Sequence, residues 1–120
     1  MGETFDLIIR NGTVVGPDER FDGDIGVREG RIAALGRVKG DAAREIDALG
    51  RLVMPGGVDP HCHIEQTSGM GQLNADTVET ATRSAAMGGT TTVISFAAQA
   101  KGARLRDTLE AFAARARRGA

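Results

Sequence analysis

Little in the 120-residue chain ties it to a charged partner or an oxidising compartment. Its single cysteine, Cys62, excludes an internal disulfide and fits a reducing compartment. Fifteen basic against sixteen acidic residues leave a formal charge of −1, which provides no electrostatic footprint for nucleic acid or an anionic membrane. Long apolar runs are missing as well. Leu7-Ile8-Ile9, the longest early one, is far short of a signal-peptide core, and nothing approaches the ~20 residues of a membrane span. Met1-Gly2 opens like a myristoylation signal, but Asp6 stands where that signal wants Ser or Thr. These absences predict a cytoplasmic protein with neither nucleic acid nor membrane as partner. Length sets one more limit, since a complete parallel (β/α)8 barrel takes roughly 250 residues and any barrel signature here belongs to part of one.

What is present suffices for a modest core, with 41% apolar and 26% charged side chains. Glycine punctuates residues 1 to about 55, and the apolar stretches between are too short for helices. They predict strands separated by tight turns. Phe5 to Arg10 and Thr13 to Val15 flank Asn11-Gly12, Asp24 to Arg28 and Arg31 to Leu35 flank Glu29-Gly30, and Glu45 to Ala48 and Arg51 to Met54 flank Leu49-Gly50. Each dipeptide is a hairpin candidate, so the expectation is a small antiparallel sheet or half-sandwich over 1–54.

From Pro55 the pattern changes. Gly56 to Ile64 contains a short buried-type strand, and Val78, Ala81, Ala85 and Ala86 recur at near-helical spacing within Asn74 to Met87. Asp76 is the expected N-cap, with Glu79 approximating a capping box and Gly88-Gly89 ending the helix. Thr90 to Ala97 is β-branched and apolar, as in a strand buried on both faces. Leu105, Leu109, Phe112, Ala113 and Ala116 then lay an apolar stripe along a second helix, whose Arg104, Arg106, Arg115, Arg117 and Arg118 read as a solvated outer face. Strand, helix, strand, helix is how a parallel barrel begins.

Only two histidines occur, His61 and His63, and they close the first of these strands. Side chains alternate along a strand, so residues at i and i+2 point the same way and can share one metal ion. Neutral imidazole is the commonest metal ligand, and the C-terminal end of a barrel strand is where active sites are built. Asp59 reads either as a carboxylate orienting a ligand histidine or as a turn residue before Pro60. Cys62 alternates away from the histidines and reads as a packed small hydrophobe.

Pro55-Gly56-Gly57-Val58-Asp59-Pro60-His61-Cys62-His63 resembles the first-strand motif of the cyclic amidohydrolases, most closely the hydantoinase and dihydropyrimidinase group. Asn11-Gly12-Thr13 and Gly30-Arg31-Ile32 resemble turns of that family's N-terminal sandwich, and Gly88-Gly89-Thr90-Thr91-Thr92 resembles the lead into its second barrel strand. The likeness covers essentially the whole sequence. It implies an α/β fold: a small antiparallel β-sandwich portion over 1–54, then the first two β/α units of a metal-dependent (β/α)8 barrel over 55–120, left incomplete. It also implies a dinuclear metal site, usually zinc with manganese or cobalt as substitutes, in which His61 and His63 bind the more buried ion.

Family members draw a carboxylated lysine, two further histidines and a catalytic aspartate from later strands. Lys39 and Lys101 do not correspond to that lysine, so the resemblance implies the N-terminal part of a longer enzyme, with the 120 residues alone inactive. The expected reaction is hydrolytic opening of a cyclic amide or ureide to an N-carbamoyl amino acid, by a homo-oligomer, dimer or tetramer, of the full-length chain. A bound divalent ion suits an unreactive ring carbonyl because it polarises the carbonyl and makes hydroxide available near neutral pH.

The loop from Ile64 to Leu73 is assigned by the resemblance to the wall around the ring substituent, with Ile64, Met70 and Leu73 as the residues forming it. Glu65 stands where dihydroorotases carry a carboxylate-binding arginine, Thr67-Ser68-Gly69 replaces a Pro-Phe-like pair, and Ser95 stands where relatives often show Asp. An allantoinase-like or other amidohydrolase is the alternative among enzymes. A non-catalytic structural homologue and a small β-rich binding module are the alternatives outside them.

Overall fold

In the computed structural model, which describes residues 4–119, the chain divides after Pro55 into two units, Met1–Pro55 and Gly56–Ala120. The first is built around β1 (Thr4–Val15). β2 (Arg20–Arg28) pairs antiparallel with β1, and β3 (Arg31–Gly36) antiparallel with β2. Between β2 and β3, Glu29 and Gly30 take φ of 52° and 70°, the two left-handed residues that a tight hairpin matched to strand twist requires.

Asn11-Gly12 does not turn the chain, contrary to the sequence expectation. Asn11 takes a φ of 54°, but inside β1: Ile9 pairs with Ile25 and Gly12 with Gly23, so Arg10 and Asn11 together face Asp24. The left-handed residue is spent on a β-bulge instead of a reversal. Asp24 holds it in place. Its Oδ1 accepts the Asn11 N–H at 3.0 Å, and its Oδ2 accepts Arg10 Nη1 and the Val38 N–H, both at 3.3 Å.

Leu49-Gly50 is likewise no hairpin. β4 (Asp41–Asp47) and β5 (Leu52–Val53) both run parallel to β1, beside Thr4 to Arg10 and beside Thr13 and Val14 respectively. The positive-φ pair between them, at 52° and 73°, is a sidestep that follows the bulge. Ala48 N–H donates to the Arg10 carbonyl and Gly50 N–H to the Asn11 carbonyl, both at 2.8 Å. Gly12 leaves room for this, since a Cβ there would come within 2.6 Å of Val53. The sheet is therefore mixed, ordered β3-β2-β1-β4 with β5 also on β1, and the expected all-antiparallel meander is corrected. Residues 37–40 carry the chain from β3 to the far side of β1, and buried Val38 joins Phe5 and Ile8 as the core, with Ala34 and Ala42 against them.

Burial opposes ionisation of Asp24, but the Asn11 N–H, the Arg10 guanidinium and the Val38 N–H outweigh it and hold the carboxyl below its ordinary range. A depressed carboxyl stabilises the fold fully above its unfolded value near ~4 and loses that contribution as pH falls through the lower folded value. Asp24→Ala should cost about 1–3 kcal/mol, because it takes the acceptor from the bulge N–H of Asn11 and from the Val38 N–H, while Arg10 keeps Glu45. Urea denaturation of wild type and variant at pH 7 and pH 3 checks this: the gap should shrink at the lower pH.

The second unit alternates as expected. β6 (Gly57–Cys62) and β7 (Thr90–Ser95) pair in parallel, with α1 (Val78–Met87) between them in sequence and α2 (Leu105–Gly119) following. α1 packs on both β7 and α2. Its N-cap is Thr77, not Asp76: Thr77 and Thr80 exchange side-chain-to-backbone hydrogen bonds, while Asp76 accepts from the Thr80 hydroxyl at 2.8 Å. Glu79 instead pairs with Arg83 one turn on. Gly88 and Gly89 end the helix, Gly89 at a φ of 88°.

β7 is not buried on both faces, because α1 is the one helix packed on it among the described residues, and Thr91, Thr92 and Ile94 are exposed. Arg104, just ahead of α2, and Arg106, Arg117 and Arg118 on it are exposed as expected, while Arg115 is half-buried with its guanidinium 5.7 Å from the Phe112 ring centroid. Among the described residues no helix is long and apolar enough to cross a membrane.

Candidate metal centre

β6 is irregular where the histidines begin. Asp59 pairs with Val93 and Cys62 with Ser95, so three steps on β6 span two on β7. Pro60, which has no N–H to give a ladder, lies in this irregularity. Asp59 Oδ1 accepts the His61 backbone N–H at 3.0 Å; its observed partner is main chain and not an imidazole. Cys62 is half-buried, and its carbonyl accepts the Phe96 N–H.

The strand ends at Cys62, and His63 lies one residue beyond it. The two rings nonetheless converge. Nε2 of His61 and Nε2 of His63 are 3.3 Å apart, with ring centroids 5.2 Å apart and planes at 64°. Such a pair either shares a proton or offers two lone pairs to one cation. Two zinc–nitrogen bonds of ~2.0–2.1 Å meeting at a tetrahedral angle place their nitrogens about 3.3–3.4 Å apart, so the observed spacing fits a zinc bite without rearrangement. Among the described residues no cluster of three or more His, Cys, Asp or Glu forms, and the candidate site consists of these two imidazoles.

Three residues that the sequence reading missed hold the pair. Phe96 stacks on His63 at 4.8 Å and 12° and lies 4.6 Å from His61 at a tilt of 52°. Gln66 Oε1 is 2.7 Å from His63 Nδ1, and Asn74 Nδ2 donates to the His63 carbonyl at 2.8 Å. None follows strand periodicity, which carried the sequence argument.

The following loop is ordered by its own main chain. Ser68 N–H donates to Gln72 O, the Ser68 hydroxyl accepts the N–H groups of Met70 and Gln72, and Thr67 bridges Leu73. Of the three expected wall residues, Ile64 is buried and Leu73 is exposed; both line a cavity of about 670 Å³ with Gln66, Phe96 and Phe112. Met70 is 85% exposed and does not line it. Ser95 accepts the Ile64 N–H at 3.3 Å. Glu65, with a φ of 48°, caps α1 through the Val78 N–H at 3.1 Å, so its charge serves a helix N-terminus.

The amidohydrolase family profile matches residues 52–117, more than half of the chain and inclusive of both histidines. The chain belongs to the amidohydrolase family. Within it the sequence stands with the hydantoinase group. It is 48% identical to a D-hydantoinase of Rhizobium radiobacter over 104 residues, which are 87% of this chain and 22% of that protein. It is also 48% identical to an allantoinase of Escherichia coli O1:K1 / APEC over 91 residues, 76% of this chain and 19% of the relative. A solved D-hydantoinase structure superposes with a TM-score of 0.87 at 43% identity, covering 92% of this chain and 24% of that one. This amidohydrolase chain thus spans about a fifth to a quarter of the length of the relatives it matches.

Proposed function

We propose that the protein carrying this chain is a metal-dependent cyclic amidohydrolase that opens five- or six-membered cyclic ureides, hydantoins and dihydropyrimidines, to N-carbamoyl amino acids. The observation that carries the reading is the 3.3 Å approach of the two Nε2 atoms at the C-terminal end of β6. His61 and His63 hold the ion, zinc first and manganese or cobalt as substitutes. When bound, the ion supplies Lewis acidity toward a ring carbonyl and toward water. The chain's own part is to aim both imidazoles, through Phe96 against the rings and Gln66 and Asn74 around His63. Residues 1–54 are read as a sandwich portion and 55–120 as the first two β/α units of a barrel. The parallel β6·β7 pair with its helices supports that reading. The full-length enzyme is read as a cytoplasmic homo-oligomer, dimer or tetramer.

Similarity to an allantoinase keeps a second reading in play, in which allantoin is the preferred ring. The full-length protein, loaded with zinc or manganese, should open hydantoin, 5-phenylhydantoin and dihydrouracil faster than allantoin or dihydroorotate. Opening of allantoin alone would replace the first reading with the second. The 120 residues by themselves should open none of these, because two imidazoles leave a catalytic zinc one short of the usual three protein ligands. Ring opening by the isolated chain above that of its His61→Ala/His63→Ala variant would contradict this.

A further inference from the structure

His63 is bonded at the ring nitrogen that does not face His61. Its Nδ1 lies 2.7 Å from Gln66 Oε1, closer than the 3.3 Å between the two rings. An amide oxygen has no proton to give, so Nδ1 is the donor, and a neutral imidazole protonated at Nδ1 carries its lone pair on Nε2. Nε2 is the atom that converges on His61. Both main chains are tied together by one residue: Asn74 donates its N–H to the Gln66 carbonyl at 3.0 Å and its side-chain amide to the His63 carbonyl at 2.8 Å. Phe96, stacked at 12°, fixes the ring plane in which the Nδ1–H is directed. Among the described residues no carboxylate bonds His63 Nδ1: Asp59 accepts from the His61 backbone and Glu65 from Val78.

We propose that Gln66 is a positioning residue of the metal pair: its side-chain carbonyl fixes the His63 tautomer and ring direction, so that Nε2 is presented as a ligand. The assignment rests on the reading of His61 and His63 as metal ligands. Outer partners of this kind orient a ligating imidazole and raise its basicity. A neutral acceptor does so without adding charge beside the ion.

The test measures zinc affinity of the full-length protein by competition with a chromophoric chelator, and the ligand field by Co(II) absorption. Gln66→Leu should weaken the ion at His61/His63 by about 10- to 100-fold and alter the Co(II) bands, while Gln66→Glu, which keeps an acceptor, should stay within about 3-fold of wild type or bind more tightly. Gln66→Met is a second, unbranched variant without a suitable acceptor, and should behave like Gln66→Leu. Wild-type affinity and spectrum in both Leu and Met variants would overturn the proposal. So would Gln66→Glu as weak as Gln66→Leu, because a merely space-filling glutamine would not be rescued by a retained acceptor. The His61→Ala/His63→Ala variant separates the two levels. If it keeps its full metal content, the metal reading fails and the Gln66 assignment with it; if it loses the ion while the Gln66 variants do not, the assignment alone fails.

Discussion

Alanine at either His61 or His63 in the full-length protein should lower kcat/KM for ring opening on the order of 1,000-fold or more, with little change in the stability of the metal-free protein. The size follows from the count of ligands. Two Nε2 atoms converge at 3.3 Å, and removal of one leaves a single imidazole on this strand for an ion that needs at least three protein ligands. The stability expectation holds for metal-free protein and follows from exposure: both rings are exposed in this chain, and substitutions at surface positions with no bound metal usually shift stability by about 0.5 kcal/mol or less. Metal analysis, steady-state kinetics and thermal melts on the same preparations separate the two effects. A His63→Ala enzyme with bound metal and near-wild-type kcat/KM would remove His63 from the site.

The largest stability effect is expected in the first unit, at Phe5. The ring is 2% exposed, packs with Ile8 and Val38, and has the Arg28 guanidinium 4.9 Å from its centroid. Phe5→Ala should cost about 3–5 kcal/mol. Gly26 is the partner of this ring, because a Cβ at that position would come within 2.7 Å of Phe5 Cε1. Gly26→Ala should therefore destabilise by about 1–3 kcal/mol through overpacking. In the Phe5→Leu background the same change should cost less, by a coupling of about 0.5 kcal/mol or more. Chemical denaturation of the four proteins closes the cycle, and strictly additive costs would show that the ring and the glycine do not share the space.

Local chemistry in the sequence touched each strand and helix, but it began β2 at Asp24 instead of Arg20 and β4 at Glu45 instead of Asp41, and it did not give how the strands pair. Glu29-Gly30 was legible as a hairpin because the two strands it joins pair with each other at once. Asn11-Gly12 has the same turn chemistry and yields a bulge, since a left-handed residue satisfies either geometry and only the partner strand decides between them. Leu49-Gly50 misled for the same reason. Its flanking strands both seek β1, a choice made by pairing across more than thirty residues of sequence, as between Leu7 and Arg44. At α1, Thr77 displaced Asp76 as N-cap by one residue, within the ordinary uncertainty of helix ends.

The site divides in the same way. The i, i+2 histidines were legible from strand alternation, although the strand itself stops at Cys62 and bulges at Pro60 and His61. Gln66 and Asn74 escaped because they act from a loop, three and eleven residues past His63, where no periodicity applies. Phe96 escaped because it comes from the neighbouring strand's end, brought alongside by the Phe96 N–H to Cys62 carbonyl bond.

The most direct test that His61 and His63 share one ion is a crystal of the zinc-loaded full-length protein, with anomalous scattering recorded on either side of the zinc edge. A zinc peak is expected between His61 Nε2 and His63 Nε2 at ~2.0–2.1 Å from each. A fully ordered β6 with the two imidazoles turned apart, and zinc bound elsewhere or not at all, would contradict it.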